Sequence, residues 1–237
     1  MPTRLTSIIV GLIVALGFSA MGFFIGDGLR NIRTTSRYVN VRGLSEREVS
    51  ADTVKLTIKI EHNGNDSATL FPQIGDTQKQ VVAFLKEEGL KDDEIENGQW
   101  TTTHTSAAEL KDDPKLPRIT LAGTITVTSH NIAAAQSAYQ KINDLRVKTS
   151  GSVTDAEVTY SFTGLAPLRA EMIAAATKDA RNAALQFAQD SGSRVGSIRN
   201  ASQGGFQILT PGQEFDDPKS VRKNVRVVTT VDYELKD

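Results

Sequence analysis

Cysteine is missing from all 237 residues. This excludes disulfides, thiolate nucleophiles and cysteine-ligated metals. It leaves the redox compartment open, because a thiol-free chain is at ease in oxidising and reducing surroundings alike. An excess of either charge is also missing: 27 Lys and Arg stand against 28 Asp and Glu, a net charge of −1. There is no arginine-rich run and no interleaving of aromatic with basic residues, so nucleic acid is not an indicated partner. Nucleophile and phosphate motifs are missing as well, with no GxSxG, GxGxxG or GxxxxGK. Histidine is scarce, and His62, His104 and His130 lack the i, i+4 spacing of a helical metal pair.

The remaining fragments of chemistry have plain readings. An SxxK runs from Ser220 to Lys223, at the edge of a strand-like segment where a lysine is expected to face water. The acidic pairs Asp92–Asp93, Asp112–Asp113 and Asp216–Asp217 lie in polar loops. They lack the alternating ligands and central glycine of a calcium loop, and solvated turns are expected. Two NxS sequons, at Asn65 and Asn200, complete the inventory. No catalytic, cofactor-binding or metal-ligating residue is assigned, no cofactor is called for, and the chain reads as a non-enzyme. Trp100, the only tryptophan, is either a core residue or a contact surface.

What is present begins at the N-terminus. Leu5 to Gly26 is a run of 22 residues without a charge. As a helix it spans roughly 33 Å at about 1.5 Å per residue, enough to cross a bilayer. A cleaved signal is the competing reading. Ala20 suits a cleavage site, but Phe18 is a poor −3 residue, which favours an uncleaved anchor. Gly22 and Gly26 form a GxxxG, a common motif of paired membrane helices. Arg4 precedes the run and Arg30, Arg33 and Arg37 follow it. The positive-inside rule taken alone would keep the C-terminal side in the cytoplasm, although large domains translocate despite such charges. Without the four basic and one acidic residues of 1–37, the remainder holds 23 basic and 27 acidic residues, a net −4. The division is therefore an anchor (or signal) and linker over 1–37 and an ordinary soluble domain over 38–237.

Within that domain, Tyr38 to Leu44 alternates as a strand, with Val39, Val41 and Gly43 on one side. Val54, Leu56, Ile58 and Ile60 make the strongest strand, with one buried and one wet face. Asp66 or Ser67 caps a helix with a stripe of Ile74, Val81, Val82 and Leu85, ended by Gly89. The threonine-rich segment from Glu94 to Leu110 and the alternating run from Arg118 to His130 read as a long-looped hairpin. Asn131 caps a further helix, with Ile132, Ala135, Tyr139, Ile142 and Leu145 on its stripe. A strand over 156–163, a long helix, a strand over 194–209 and a final strand over 221–235 follow.

The long helix, Ala166 to Gly192, is read as the organising element. Leu165, Leu168, Met172, Ile173, Ala176, Ala180, Ala184 and Phe187 form its stripe, Pro167 its start and Gly192 its stop. Much of the core is expected against it. Strand–helix–strand–strand occurs over 53–129 and again over 156–235, a possible β-α-β-β pseudo-repeat. The fold class is α+β: mostly antiparallel sheet with helices packed on it. Two strands, QWTTTHTSA and VRVVTTVDY, are long and β-branched. On an open sheet edge either would be a template for pairing with another subunit.

Several stretches carry a resemblance. YVNVRGLSEREVSADTVKLTI, FLKEEGLKDDEI, the alanine-rich helix with Gly192 and Gly196 at its end, and KNVRVVTTVDYEL together resemble the SIMPL-domain family of exported bacterial proteins, over about residues 38–235. The resemblance implies an envelope protein, periplasmic or anchored facing the periplasm, with a tendency to homo-oligomerise. It implies no reaction, substrate or cofactor, so no site residue is carried over. Many members carry a cleavable signal, whereas this N-terminus suits an anchor. Two functions remain in view: a single-pass inner-membrane protein whose periplasmic domain assembles as a scaffold or stress-protective factor, and a module that holds a small or peptidic ligand between helix and sheet.

Overall fold

The structure is a computed structural model and describes residues 15–26 and 37–236. Residues 15–26 are helical (α1). Part of the expected span over 5–26 therefore lies outside the described residues. Among the described residues no helix is long and apolar enough to cross a membrane. The chain divides into two compact units. One comprises the chain to Gly43, Thr177–Gln203 and Thr229–Asp237; the other comprises Leu44–Ala176 and Gly204–Val228.

The larger unit is built on an antiparallel sheet in the order β3(Ile95–Asn97), β5(Ile119–Ser129), β2(Thr53–Gly64), β6(Val153–Ser161). A further strand, β4(Thr101–His104), also pairs β5. The alternation in β2 sets the register: Val54, Leu56, Ile58 and Ile60 point inward and are buried, and Ile58 lies opposite Ile125 on β5. Full burial of such side chains is worth about 1.5–3 kcal/mol each. Helix α2(Ser67–Glu87) covers this face with Leu70, Ile74, Val81, Phe84 and Leu85. Asp66 caps its start by accepting from the Ala68 N–H. It ends at Gly89, with φ +94°, where the Leu90 N–H reaches the Leu85 carbonyl. Pro72 lies inside the helix near its start. The helix capped by Asn131 is two helices, α4(Ile132–Gln140) and α5(Ile142–Lys148), which bury Ala135, Ala138, Ile142 and Leu145 and leave Tyr139 exposed.

The expected hairpin is present with its first arm in pieces. Residues 95–97 and 101–104 pair β5, and Ser106 with Glu109 forms a capping box that starts the short helix α3(Ala107–Asp112) where strand was expected. The first strand of the domain is longer than expected and runs over β1(Tyr38–Ser50).

The long helix is α6(Arg169–Asp190), preceded by a 3₁₀ turn at Ala166–Leu168. It ends where Ser193 and Gly192 donate to the carbonyls of Ala188 and Gln189, with Gly192 at φ +68°. Its buried residues are Met172, Ala176, Ala180, Ala184 and Ala188. The stripe is thus real, with two corrections. Phe187 is 50% exposed: the stripe advances by four residues throughout and takes Ala188 in its place. The principal core also does not form against α6. That core lies among β2, β5, α2, α4 and α5, while α6 serves two smaller clusters. Ala180 and Ala184 pack with Val39, Val41, Val231 and Tyr233 in one unit. Met172 and Ala176 pack with Val225 and Val227 in the other.

The second sheet has the order β1, β9(Arg222–Lys236), β7(Arg194–Gln203), and β8(Gln207–Leu209) pairs β9 beyond β7. The strand expected over 194–209 is therefore broken at residues 204–206. The pseudo-repeat survives in chain order and not in pairing. β2 pairs β5, whereas β6, the first strand of the other copy, pairs β2 and none of the strands that follow it.

Candidate functional site

Two surfaces and two polar clusters compete as functional sites. The first surface is a groove of about 580 Å³ between α2 and the β3–β4 segment. Gly75, Gln78, Lys79, Val82, Ala83 and Lys86 supply the helical wall; Asn97 and Trp100 supply the other. Trp100 is 38% exposed, so it is a wall and not a core residue. Its indole N–H donates to Gln78 Oε1 at 3.1 Å, and its ring lies 6.0 Å from that of Phe71. Two glycines make room for the ring: a Cβ on Gly123 would stand 3.1 Å from the indole Cδ1, and one on Gly75 3.5 Å from Cη2. Val82, expected in the buried stripe, is half-buried and faces this groove. A glycine inside a helix and another inside a strand were the signals available in the sequence for a close approach there.

The second surface lies in the smaller unit. Among the described residues β7 bonds β9 along one side only, and all its residues except Val195 and Gly196 are exposed. Arg181, Leu185, Val195, Gly196, Ile198 and Tyr233 line a crevice of about 270 Å³. Ile198 is 55% exposed, and Leu185 and Phe187 of α6 are exposed as well. Of the two strands singled out as possible edges, QWTTTHTSA carries the edge strand β4, while VRVVTTVDY is internal, flanked by β1 on one side and β7 and β8 on the other.

The first polar cluster gathers Asp52, Thr53, His130 and Thr163. The Asp52 carboxylate accepts from the N–H groups of Thr163 (2.8 Å) and Gly164 (2.6 Å) and from the hydroxyls of Thr53 (2.8 Å) and Thr163 (2.9 Å). Burial pushes its pKa up, but this array of donors outweighs burial and holds it below the ordinary value. His130 Nδ1 donates to the Asp52 carbonyl at 2.7 Å, not to the carboxylate. The residue types suggest a triad; the bonding is that of a clasp, with the carboxylate saturated by donors that fix the turn after β6. The other histidines lie apart: His62 Nε2 meets Thr77 Oγ1 at 2.8 Å, and His104 sits on β4. Among the described residues no group of three or more His, Asp or Glu side chains is arranged to hold a metal.

The second cluster corrects an expectation. Lys223 does not face water. It is fully buried, and its Nζ donates to Asp216 Oδ1 at 2.7 Å and to the Asp217 carbonyl at 2.9 Å. Asp216 and Asp217 therefore form the seat of a buried ammonium. The other acidic pairs behave as turn residues: Asp92 pairs Lys86, and Asp113 accepts from the Lys115 N–H.

Comparison with known proteins adds a family and little else. A family model described as SIMPL, protein of unknown function (DUF541), matches residues 39–232. No curated protein matches. Among solved structures, an uncharacterized conserved protein from Listeria innocua is 12% identical at a TM-score of 0.22, covering 77% of this chain and 91% of that one. A hydrolase from Listeria innocua is 11% identical at a TM-score of 0.22, covering 77% and 90%. These likenesses are too distant to carry a fold or an activity across.

Proposed function

The chain belongs to the SIMPL family of proteins of unknown function, and on that premise we propose that it is a non-catalytic cell-envelope protein, held in the bacterial inner membrane through residues 5–26, whose periplasmic domain assembles with further copies as a scaffold. The observation that carries this reading is the open edge of β7, ten residues long, beside the exposed apolar side chains Ile198, Leu185 and Phe187. A long free edge next to apolar surface favours strand pairing between chains. Self-pairing is also compatible with the charges. Centred on Ile198, an antiparallel β7 pair sets Arg194 opposite Ser202 and Arg199 opposite Ser197, so no like charges oppose.

Absence of native cysteine makes the test clean. In the full-length chain Ile198→Cys is expected to form a disulfide-linked dimer on mild oxidation, and Val147→Cys, at an exposed position of the other unit, is not. Equal cross-linking of the two variants would contradict assembly through β7. A reporter active only in the periplasm, fused after Asp237, is expected to be active; a silent fusion would overturn the orientation.

A second reading rests on the groove beside Trp100: a module that takes a ligand between helix and sheet. Its volume of about 580 Å³ lies in the range of small-molecule sites, roughly 300–1,000 Å³.

A further inference from the structure

The groove of the larger unit combines three features that point to one kind of occupant. The first is its apolar lining, made by Val82 and Ala83 on the helical wall and the Trp100 indole on the other. The second is the sign of its charge: among the described residues the charged ones that line it are Lys79 and Lys86, and no acidic residue does so. Each lysine has an aspartate partner outside the lining, Asp76 at 3.0 Å and Asp92 at 2.6 Å. Exposed pairs of this kind are worth about 0–1 kcal/mol, so an arriving anion can displace them.

The third feature is unused backbone. Gly98 donates to the Thr124 carbonyl and Thr105 to the Arg118 carbonyl. Antiparallel strands turn alternate residues toward and away from their partner. Counted from those two bonds, the backbone N–H and C=O groups of Asn97, Thr102 and His104 face away from β5. Among the described residues they have no backbone partner on that side. Asn97 lines the groove, and the edge continues into β4, which carries neither lysine nor proline to block it.

Direction then assigns the two ends. Gly75 of α2 lies against Trp100, and Lys86, eleven residues on, reaches Asp92 just before β3. The helix and the β3–β4 segment therefore run antiparallel. Those eleven residues span roughly 16 Å of helix, the length of about five extended residues. A strand added antiparallel to β3 and β4 runs from the Trp100 end to the Lys86 end and finishes at the ammonium.

We propose that this groove binds the extended C-terminal segment of a partner protein, about five residues long. The segment lies as an added strand on the β3–β4 edge, with an apolar side chain between Val82, Ala83 and Trp100 and its terminal carboxylate at Lys86. Backbone pairing supplies affinity in this mode, and the pocket and the charge supply specificity. The site is distinct from the β7 edge and stands whether or not the chain assembles.

The test uses the full-length chain and a phage library of random heptapeptides displayed with free C-termini. The wild-type chain is expected to enrich peptides that share an apolar residue upstream of the last position. The enriched peptide, made synthetically, should shift the fluorescence of Trp100, the only tryptophan in the sequence. Its C-terminal amide is expected to bind at least tenfold more weakly, and so is the free acid to Lys86→Ala. Asn97→Pro removes the outward N–H within the stretch that the five residues cover and spares the ladder to β5, so it should abolish binding with the circular dichroism unchanged. No enrichment over Lys86→Ala, or equal binding of acid and amide, overturns the proposal. Binding of 4-phenylbutyrate as tight as that of the peptide also overturns it, in favour of a small carboxylate as the occupant.

Discussion

Lys223 shows best how residue type and residue position can disagree. Lysine suggests a solvated side chain, but parity along β9 places position 223 on the face of Val225, Val227, Thr229, Val231 and Tyr233, all buried. Parity decides, and the cost of burying the ammonium is met by Asp216 and the Asp217 carbonyl. The signal was in the sequence; the habit of assigning lysine to water hid it. Lys223→Ala leaves Asp216 without its partner and a void behind it, and a loss of about 3 kcal/mol is expected in chemical denaturation. A change below about 0.5 kcal/mol would show that the pair contributes nothing. His62 offers a pH readout. Burial lowers its pKa from the ordinary 6.5, so the folded chain favours the neutral ring. The unfolded chain then binds the proton more readily, and stability falls as pH drops below about 6.5 toward the lower folded pKa. Replacing His62 with Gln is expected to flatten that part of the stability–pH curve. Asp52 acts in the carboxylate range: its lowered pKa adds stability that is present above the ordinary carboxylate value and lost as pH falls through the folded one.

At the scale of elements, α6 and α2 show what periodicity can and cannot resolve. The α6 stripe was legible because Met172, Ala176, Ala180 and Ala184 recur at every fourth position. Phe187 and Ala188 both fit a helical template after Ala184, at i+3 and i+4. The choice falls to volume, since an alanine interface leaves no room for a phenyl ring. Ala184→Leu is accordingly expected to cost about 1–3 kcal/mol by overpacking against its cluster of Val39, Val41, Val231 and Tyr233. A neutral outcome in thermal unfolding would mean that the interface is looser than its burial implies. For α2 the buried positions Ile74, Val81 and Leu85 were readable, but Val82 was not separable from them, because neighbouring positions on a helix differ by only about 100°. Its partner across the groove, Trp100, becomes legible only once Gly123 and Gly75 lie beside it. Gly123→Ala is expected to displace the indole and shift its emission; an unchanged spectrum would contradict the close contact. Edge status was the least accessible property. The composition of QWTTTHTSA and VRVVTTVDY is alike, yet pairing puts one at an edge and the other between neighbours.

For the whole molecule, the α+β class, the antiparallel sheets and the family were readable from strand alternation and from the ordered series of motifs. The surfaces that suggest function were not, because they arise from sites where pairing stops: the outer side of β7 and the outer side of β3 and β4. Assembly through β7 is the central claim, and native mass spectrometry of the full-length chain released from detergent tests it most directly. The account predicts a defined multimer for the wild-type chain and a monomer for Ile198→Lys, which sets a charge in the middle of the paired edge. A monomeric wild-type chain, or a multimer that Ile198→Lys leaves intact, would contradict it.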